Sequence, residues 1–231
     1  MTPERPALLA SRGHTIRYVA ILLLVTLLAG WRVQSVPAVA GRSHVAQYLA
    51  LLASLWVLFW FMWVGLRKAG TPLADVIGGR WRSLRDVLVT VLVSAAFWLV
   101  AQAALAGVKR VLGLLGQSPI PDERRTQILM APHGGLEIAL WILLSLSAGF
   151  CEETVFRGYL QRQFAALSGN RALGIALSAA VFGLGHFYQG WRAVVVIGTY
   201  GLLFGLLAHF ARSVRPGMIA HAFADIVAGL T

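Results

Sequence analysis

Two stretches, Val45 to Leu66 and Val87 to Val108, run without a single Asp, Glu, Lys or Arg. Each approaches the roughly 20 mainly apolar residues that a helix needs to cross a hydrocarbon core. Inside lipid every backbone N–H and C=O must find a partner within the fold, which restricts a chain of this kind to a few architectures. Further apolar runs follow the same plan: about Tyr18 to Trp31, Leu136 to Phe150, Ala172 to Phe187, Ala193 to Ala211, and a last helix from Pro216. The expected fold is therefore all-α, a polytopic transmembrane helical bundle of about six to seven spans with its active site within the membrane. With 58% hydrophobic and 13% charged residues among 231, and a mean hydropathy of +0.73, the composition lies outside the range of soluble globular domains.

The formal net charge of +11 does not point to nucleic acid, because Lys and Arg are spread over the segments between spans instead of forming one basic stripe. Topology accounts for them better. Arg5, Arg12 and Arg17 precede the first span and place the N-terminus in the cytoplasm, and the segment Arg67 to Asp86, broken by Pro72 and Gly78-Gly79, reads as a cytosolic connector. The segment from Lys109 to Gly135 then falls outside, although its own basic residues weaken the charge rule there. A competing reading of the start is a cleaved signal peptide, with Ala38-Val39-Ala40 as the small-residue site. The chain divides into residues 1–135, N-terminal helices and connectors without a motif, and 136–231, which carry all the chemistry, the two forming one membrane domain.

Three polar constellations interrupt the apolar helices of the second half. They are Glu152-Glu153 with Arg157, Phe182 followed by His186, and His221 with Asp225. Ionisable residues at membrane depth are costly and usually face a bundle interior or a water-filled cavity. Each alone has a bland explanation, Glu153 with Arg157 as a structural ion pair and either His as an interhelix strut. Their placement argues otherwise. Ser168-Gly169-Asn170 breaks the helix that follows the carboxylates, and Glu152 and His186 lie equally far from Gly169 in sequence. An antiparallel hairpin turning at Gly169 brings them level. His221 sits about 8 Å along the last helix at 1.5 Å per residue, at a similar depth. Glu153 and Arg157, like His221 and Asp225, are spaced to share a helix face. Two carboxylates, two imidazoles and a third carboxylate at one level can activate water against an amide. The lone cysteine, Cys151, excludes an intrachain disulfide; beside the carboxylate pair it is either a nucleophile or, as preferred here, a packing residue.

His-Glu-x-x-His, Gly-x-Gly-Asp and Gly-x-Ser-x-Gly are all absent from the sequence. The three motifs it does carry resemble those of the CPBP family of intramembrane proteases, which includes CAAX prenyl endopeptidases of the Rce1 type and bacterial relatives linked to bacteriocin processing or immunity. Glu152-Glu153-x-x-x-Arg157 matches the first family motif, Phe182-x-x-x-His186 the second, and His221-x-x-x-Asp225 the third. The resemblance implies that Glu152 and His186 activate a water while His221 and Asp225 complete the site; in a metal-free version Glu152 would be the general base and His221 would stabilise the oxyanion. Glu153 belongs to the catalytic set, with Arg157 and Phe182 in support. No metal or other cofactor is favoured; zinc is the alternative, with Glu152, His186 and His221 as ligands. The expected partners are membrane lipid and a peptide or membrane-protein substrate, with no nucleic acid. The expected location is a bacterial inner membrane. Rival readings are a noncatalytic immunity or scaffolding factor, or a small-molecule transporter, though inverted repeats are not seen and the polar residues occupy only the second half.

Overall fold

The computed structural model describes residues 7–35, 43–114 and 130–230. All regular elements among them are helical: α1 (Arg12–Ser35), α2 (Val45–Lys68), α3 (Leu73–Ile77), α4 (Leu84–Leu114), α5 (Gly135–Ser168), α6 (Arg171–Leu184), α7 (Trp191–Ala211) and α8 (Arg215–Leu230), with a short 3-10 turn at Phe187–Gln189. Four of these, α2, α4, α5 and α7, are long and apolar enough to cross a membrane. The expected six to seven spans also counted α1, α6 and α8. Of these, α6 has 14 residues and α8 has 16, short for a full crossing, while α1 has 24. Leu92, Leu99 and Val100 of α4 stand more than 60% exposed, a density of uncovered apolar side chains suited to lipid and not to water. The protein is an integral membrane protein.

α4 runs past the expected end at Val108 and takes in Lys109 and Arg110, because nothing between Val108 and Leu114 forbids helix and long basic side chains can extend toward a membrane surface. The Ala38-Val39-Ala40 motif lies outside the described residues, as do positions 115–129 of the connector after α4.

α5 organises the second half. It starts after Gly134 at φ 85, and Glu137 in its first turn accepts hydrogen bonds from the backbone N–H groups of His133 and His44 at 2.8 Å and from the Ser43 hydroxyl at 2.9 Å. An acid at that end complements the helix dipole. Glu137 lies inside the stretch read from sequence as an uninterrupted apolar run. It is buried there because backbone donors satisfy it. From Glu153 to Leu160 the helix changes to π-type hydrogen bonding, and all eight residues of that stretch are buried. The helix closes at Gly169, which adopts the left-handed conformation at φ 70, and Asn170 caps α6 by accepting the Leu173 N–H at 3.1 Å. The hairpin expected at this turn is therefore present.

Close approach of small residues holds the bundle together. A Cβ on Gly183 of α6 would sit 2.7 Å from the Val194 carbonyl oxygen of α7, and one on Gly149 of α5 would lie 2.6 Å from the Met218 carbonyl oxygen of α8. Gly149 thus sets the distance between the helix that carries Glu152 and the helix that carries His221. Gly149→Ala should force the pair apart, costing about 1–3 kcal/mol, and should lower activity as well as the unfolding temperature. Wild-type behaviour in both would show that the α5–α8 spacing is not critical.

The last turns of α5 carry two amides, Gln161 and Gln163. Both are buried. Gln163 accepts from the Leu9 N–H at 2.8 Å and donates to the Ala10 carbonyl and the Thr15 hydroxyl, so the segment before α1 replaces water around it. Thr15 also meets the Tyr159 hydroxyl at 2.9 Å. Apolar side chains from α1, α2 and α5, including Tyr18, Met62, Leu66, Cys151 and Val155, form one continuous core.

Candidate active site

The π stretch of α5 and the opening turns of α8 carry the centre of the site. Glu153 Oε1 accepts from Arg157 Nη1 at 2.8 Å, one turn along its own helix, and lies 2.9 Å from His221 Nδ1. The Glu153 and Arg157 side chains are each 1% exposed and that of His221 is 7% exposed, so three ionisable groups form one chain with almost no access to water. A carboxylate only accepts hydrogen bonds, hence His221 Nδ1 carries the proton in this contact. Glu153 Oε2 is buried without a partner, and the absence of a side chain on Gly217 makes room for it: a Cβ there would come within 2.9 Å.

Arg157 is held from several directions. Its Nη2 donates to the Gly201 carbonyl of α7 at 3.3 Å, and its guanidinium lies 4.3 Å from the centre of the Phe182 ring and 5.0 Å from that of Phe204. Such faces attract a cation, more strongly where water is absent. Phe204 also stacks on the His221 ring at 5.4 Å, and Phe182 presents an edge to both His186 and His221. Phe182 therefore supports the arginine and both imidazoles at once.

The other nitrogen of His221, Nε2, faces outward. It lies 3.8 Å from Glu152 Oε2 and 3.6 Å from Asp225 Oδ2. Glu152 and Asp225 are 19% and 36% exposed at their side chains, since they line a cavity of about 410 Å³ together with His186, Tyr188 and Gln189. Leu51, Leu55, Leu144 and Trp141 provide apolar walls. His186 occupies the loop after α6, and its Nδ1 meets the Phe182 carbonyl at 2.9 Å. A carbonyl can only accept, so Nδ1 is the protonated nitrogen and Nε2 remains an acceptor in the neutral ring. Trp141 Nε1 donates to the Asp225 carbonyl at 3.0 Å and ties this part of α8 to α5.

The structure brings all seven sequence-derived residues together. Glu152, His186 and Asp225 share a cavity, His221 touches the carboxylates on both sides of it, and Glu153, Arg157 and Phe182 lie behind. Cys151 takes no part, being 1% exposed within the apolar core. Among the described residues no three His, Cys, Asp or Glu side chains are arranged to hold a metal ion. The proposed zinc set of Glu152, His186 and His221 does not form such a cluster, and His221 commits Nδ1 to Glu153. Sequence reasoning missed the link from His221 to Glu153, since helix periodicity relates residues within one helix and not across two. It also missed the π stretch, whose sequence, Glu153–Leu160, carries no glycine pair or proline that would announce it.

A buried carboxylate–imidazole centre inside a helical membrane bundle defines a class of membrane-embedded protein with the means to move protons at a cavity wall. The family model described as type II CAAX prenyl endopeptidase Rce1-like, a family of proteases, matches residues 134–227, and all three motifs fall within that match. No curated protein and no solved structure matches the chain.

Proposed function

We propose that this protein is an intramembrane endopeptidase that hydrolyses a peptide bond close to the membrane through a water activated by Glu152. The observation that carries this reading is the shared cavity of Glu152, His186 and Asp225, with His221 Nε2 directed at two of their carboxylates. Glu152 takes a proton from water as the water oxygen attacks the carbonyl carbon of the substrate. His186, its acceptor nitrogen free of the Phe182 contact, shares that proton. His221 Nε2 donates to the tetrahedral oxyanion, with Asp225 favouring the protonated ring. Return of the proton from Glu152 to the departing amine completes cleavage. Glu153 acts through His221 and Arg157 as a positioning residue, since it reaches neither the cavity nor water.

In this mechanism the water needs no metal. Protein stripped of metal by a chelator and verified by elemental analysis should retain most of its peptidase activity, whereas one stoichiometric zinc whose removal and return track activity would reassign Glu152, His186 and His221 as ligands.

The apolar cavity walls suit a substrate segment drawn from a membrane protein or a lipid-modified peptide, as in the CAAX-type reaction of the family. We place the protein in a bacterial inner membrane with its N-terminus and the Gly169 turn in the cytoplasm, because Arg162, Arg171, Arg212 and Arg215 collect at that end. Cleavage of a model peptide by the intact protein in liposomes, compared with a Glu152 variant, tests the reading directly. Equal turnover by the two would leave a noncatalytic role or transport as the function.

A further inference from the structure

The molecule has a second cavity, of about 480 Å³, on the opposite side of Arg157 from the catalytic cavity. α3, the end of α5, the start of α6 and the end of α7 surround it, and its lining is basic: Arg157, Arg162, Arg171, Arg212 and His209 against one carboxylate, Asp75. Glu153 neutralises Arg157, and Arg162 donates to the Asp75 backbone carbonyl at 2.7 Å. Arg171 and Arg212 have no ion-pair or hydrogen-bond partner for their side chains among the described residues.

Three local features single out this place from a merely basic membrane face. Arg212 is the only non-glycine residue with positive φ among those described, at φ 50, in the position after a helix where glycine is the usual occupant. A side chain is kept there at a conformational cost, and it lines the cavity. Arg171 stands in the first turn of α6, which holds no acid to offset the positive end of the helix dipole. Gln161, 7% exposed, also lines the cavity, and its amide oxygen is buried without a partner. Gln161 thus sets an uncharged polar side chain beside the arginines.

We propose that this cavity binds a phosphate-bearing anion, the headgroup of an anionic phospholipid or a soluble phosphate compound, between Arg171 and Arg212. The guanidinium groups match phosphate in charge and in fork geometry, and the α6 N-terminus adds dipole attraction. The proposal is independent of the protease reading, and its test reads stability and not hydrolysis.

The full chain in zwitterionic detergent would be titrated with short-chain phosphatidylglycerol, with phosphatidylcholine and with inorganic phosphate while its thermal unfolding midpoint is followed. Phosphatidylglycerol should raise the midpoint saturably, and phosphatidylcholine should not. Arg171→Gln and Arg212→Gly should each require about tenfold more lipid for half-saturation. Arg212→Gly should match or exceed the wild-type midpoint without lipid, because glycine relieves the positive φ, so its lost response cannot be ascribed to poor folding. The pair Arg82→Gln with Arg85→Gln, which removes two positive charges near the start of α4, should leave the response unchanged. A saturable shift with inorganic phosphate, weakened by the same two variants, would support the site and identify a soluble phosphate compound as its ligand. Half-saturation that is equal in wild type, Arg171→Gln and Arg212→Gly, or no saturable shift with either phosphate probe, would overturn it.

Discussion

Glu152→Gln is expected to reduce peptide hydrolysis roughly a thousandfold while the protein still inserts and unfolds at its usual temperature. The amide keeps the size of the carboxylate and its capacity to accept a hydrogen bond, but it takes no proton from water. The expected stability follows from position: Glu152 lines the cavity, and its nearest charged contact is His221 Nε2 at 3.8 Å, longer than a hydrogen bond. Glu153→Gln serves as the comparison. It changes the oxygen that receives both Arg157 and His221, so it should disturb folding along with catalysis. Full activity in Glu152→Gln beside an inactive but stable Glu153→Gln would exchange the roles assigned to the two glutamates.

Arg157→Met should be the most destabilising single change in the second half of the chain. Methionine approximates the volume, but the substitution leaves Glu153 charged at 1% exposure with only His221 facing it, and breaking a buried pair in this way costs about 3–5 kcal/mol. The loss has a distinctive signature. Adding Glu153→Gln to Arg157→Met removes the stranded charge and should recover a substantial part of the stability, although activity should stay low because no negative charge then faces His221 from behind. A double variant no more stable than Arg157→Met alone would show that Arg157 acts through its contacts with Phe182, Phe204 and Gly201 and not through charge compensation. Unfolding curves of the two single variants and the double variant form the cycle that separates these terms.

The site could be read in the sequence to the extent that its chemistry interrupts a simple pattern. Ionisable residues stand out against apolar runs, helix spacing pairs Glu153 with Arg157 and His221 with Asp225, and Ser168-Gly169-Asn170 marks the turn that levels Glu152 with His186. What periodicity does not encode is rotation between helices. The contact from His221 to Glu153 depends on Gly149 and Gly217 admitting α8 to within touching distance of α5. Helix ends were legible only where a glycine or a cap enforces them, as at Gly169 and Asn170; α4 ran on through Lys109 and Arg110 for want of such a signal. The burial of Gln161 and Gln163 is not legible either, because a polar side chain satisfied by backbone carbonyls looks, in sequence, like one satisfied by water. The basic lining of the second cavity was visible only as scattered arginines, since α5, α6, α7 and the turn after α7 each contribute a part of it.

The brevity of α6 bears on where the proposed hydrolysis would get its water. Fourteen residues rise about 21 Å, well short of a hydrocarbon core of roughly 30 Å. A bilayer meeting such an element thins around it, or admits the aqueous phase at the end that falls short. His186 follows α6 at one end, and the Gly169 turn lies at the other. In the proposed protease, mismatch at that end would bring the aqueous phase toward the loop that bears His186. Water would then reach the proposed site past a short helix and the lipid around it, without a pore built through the protein.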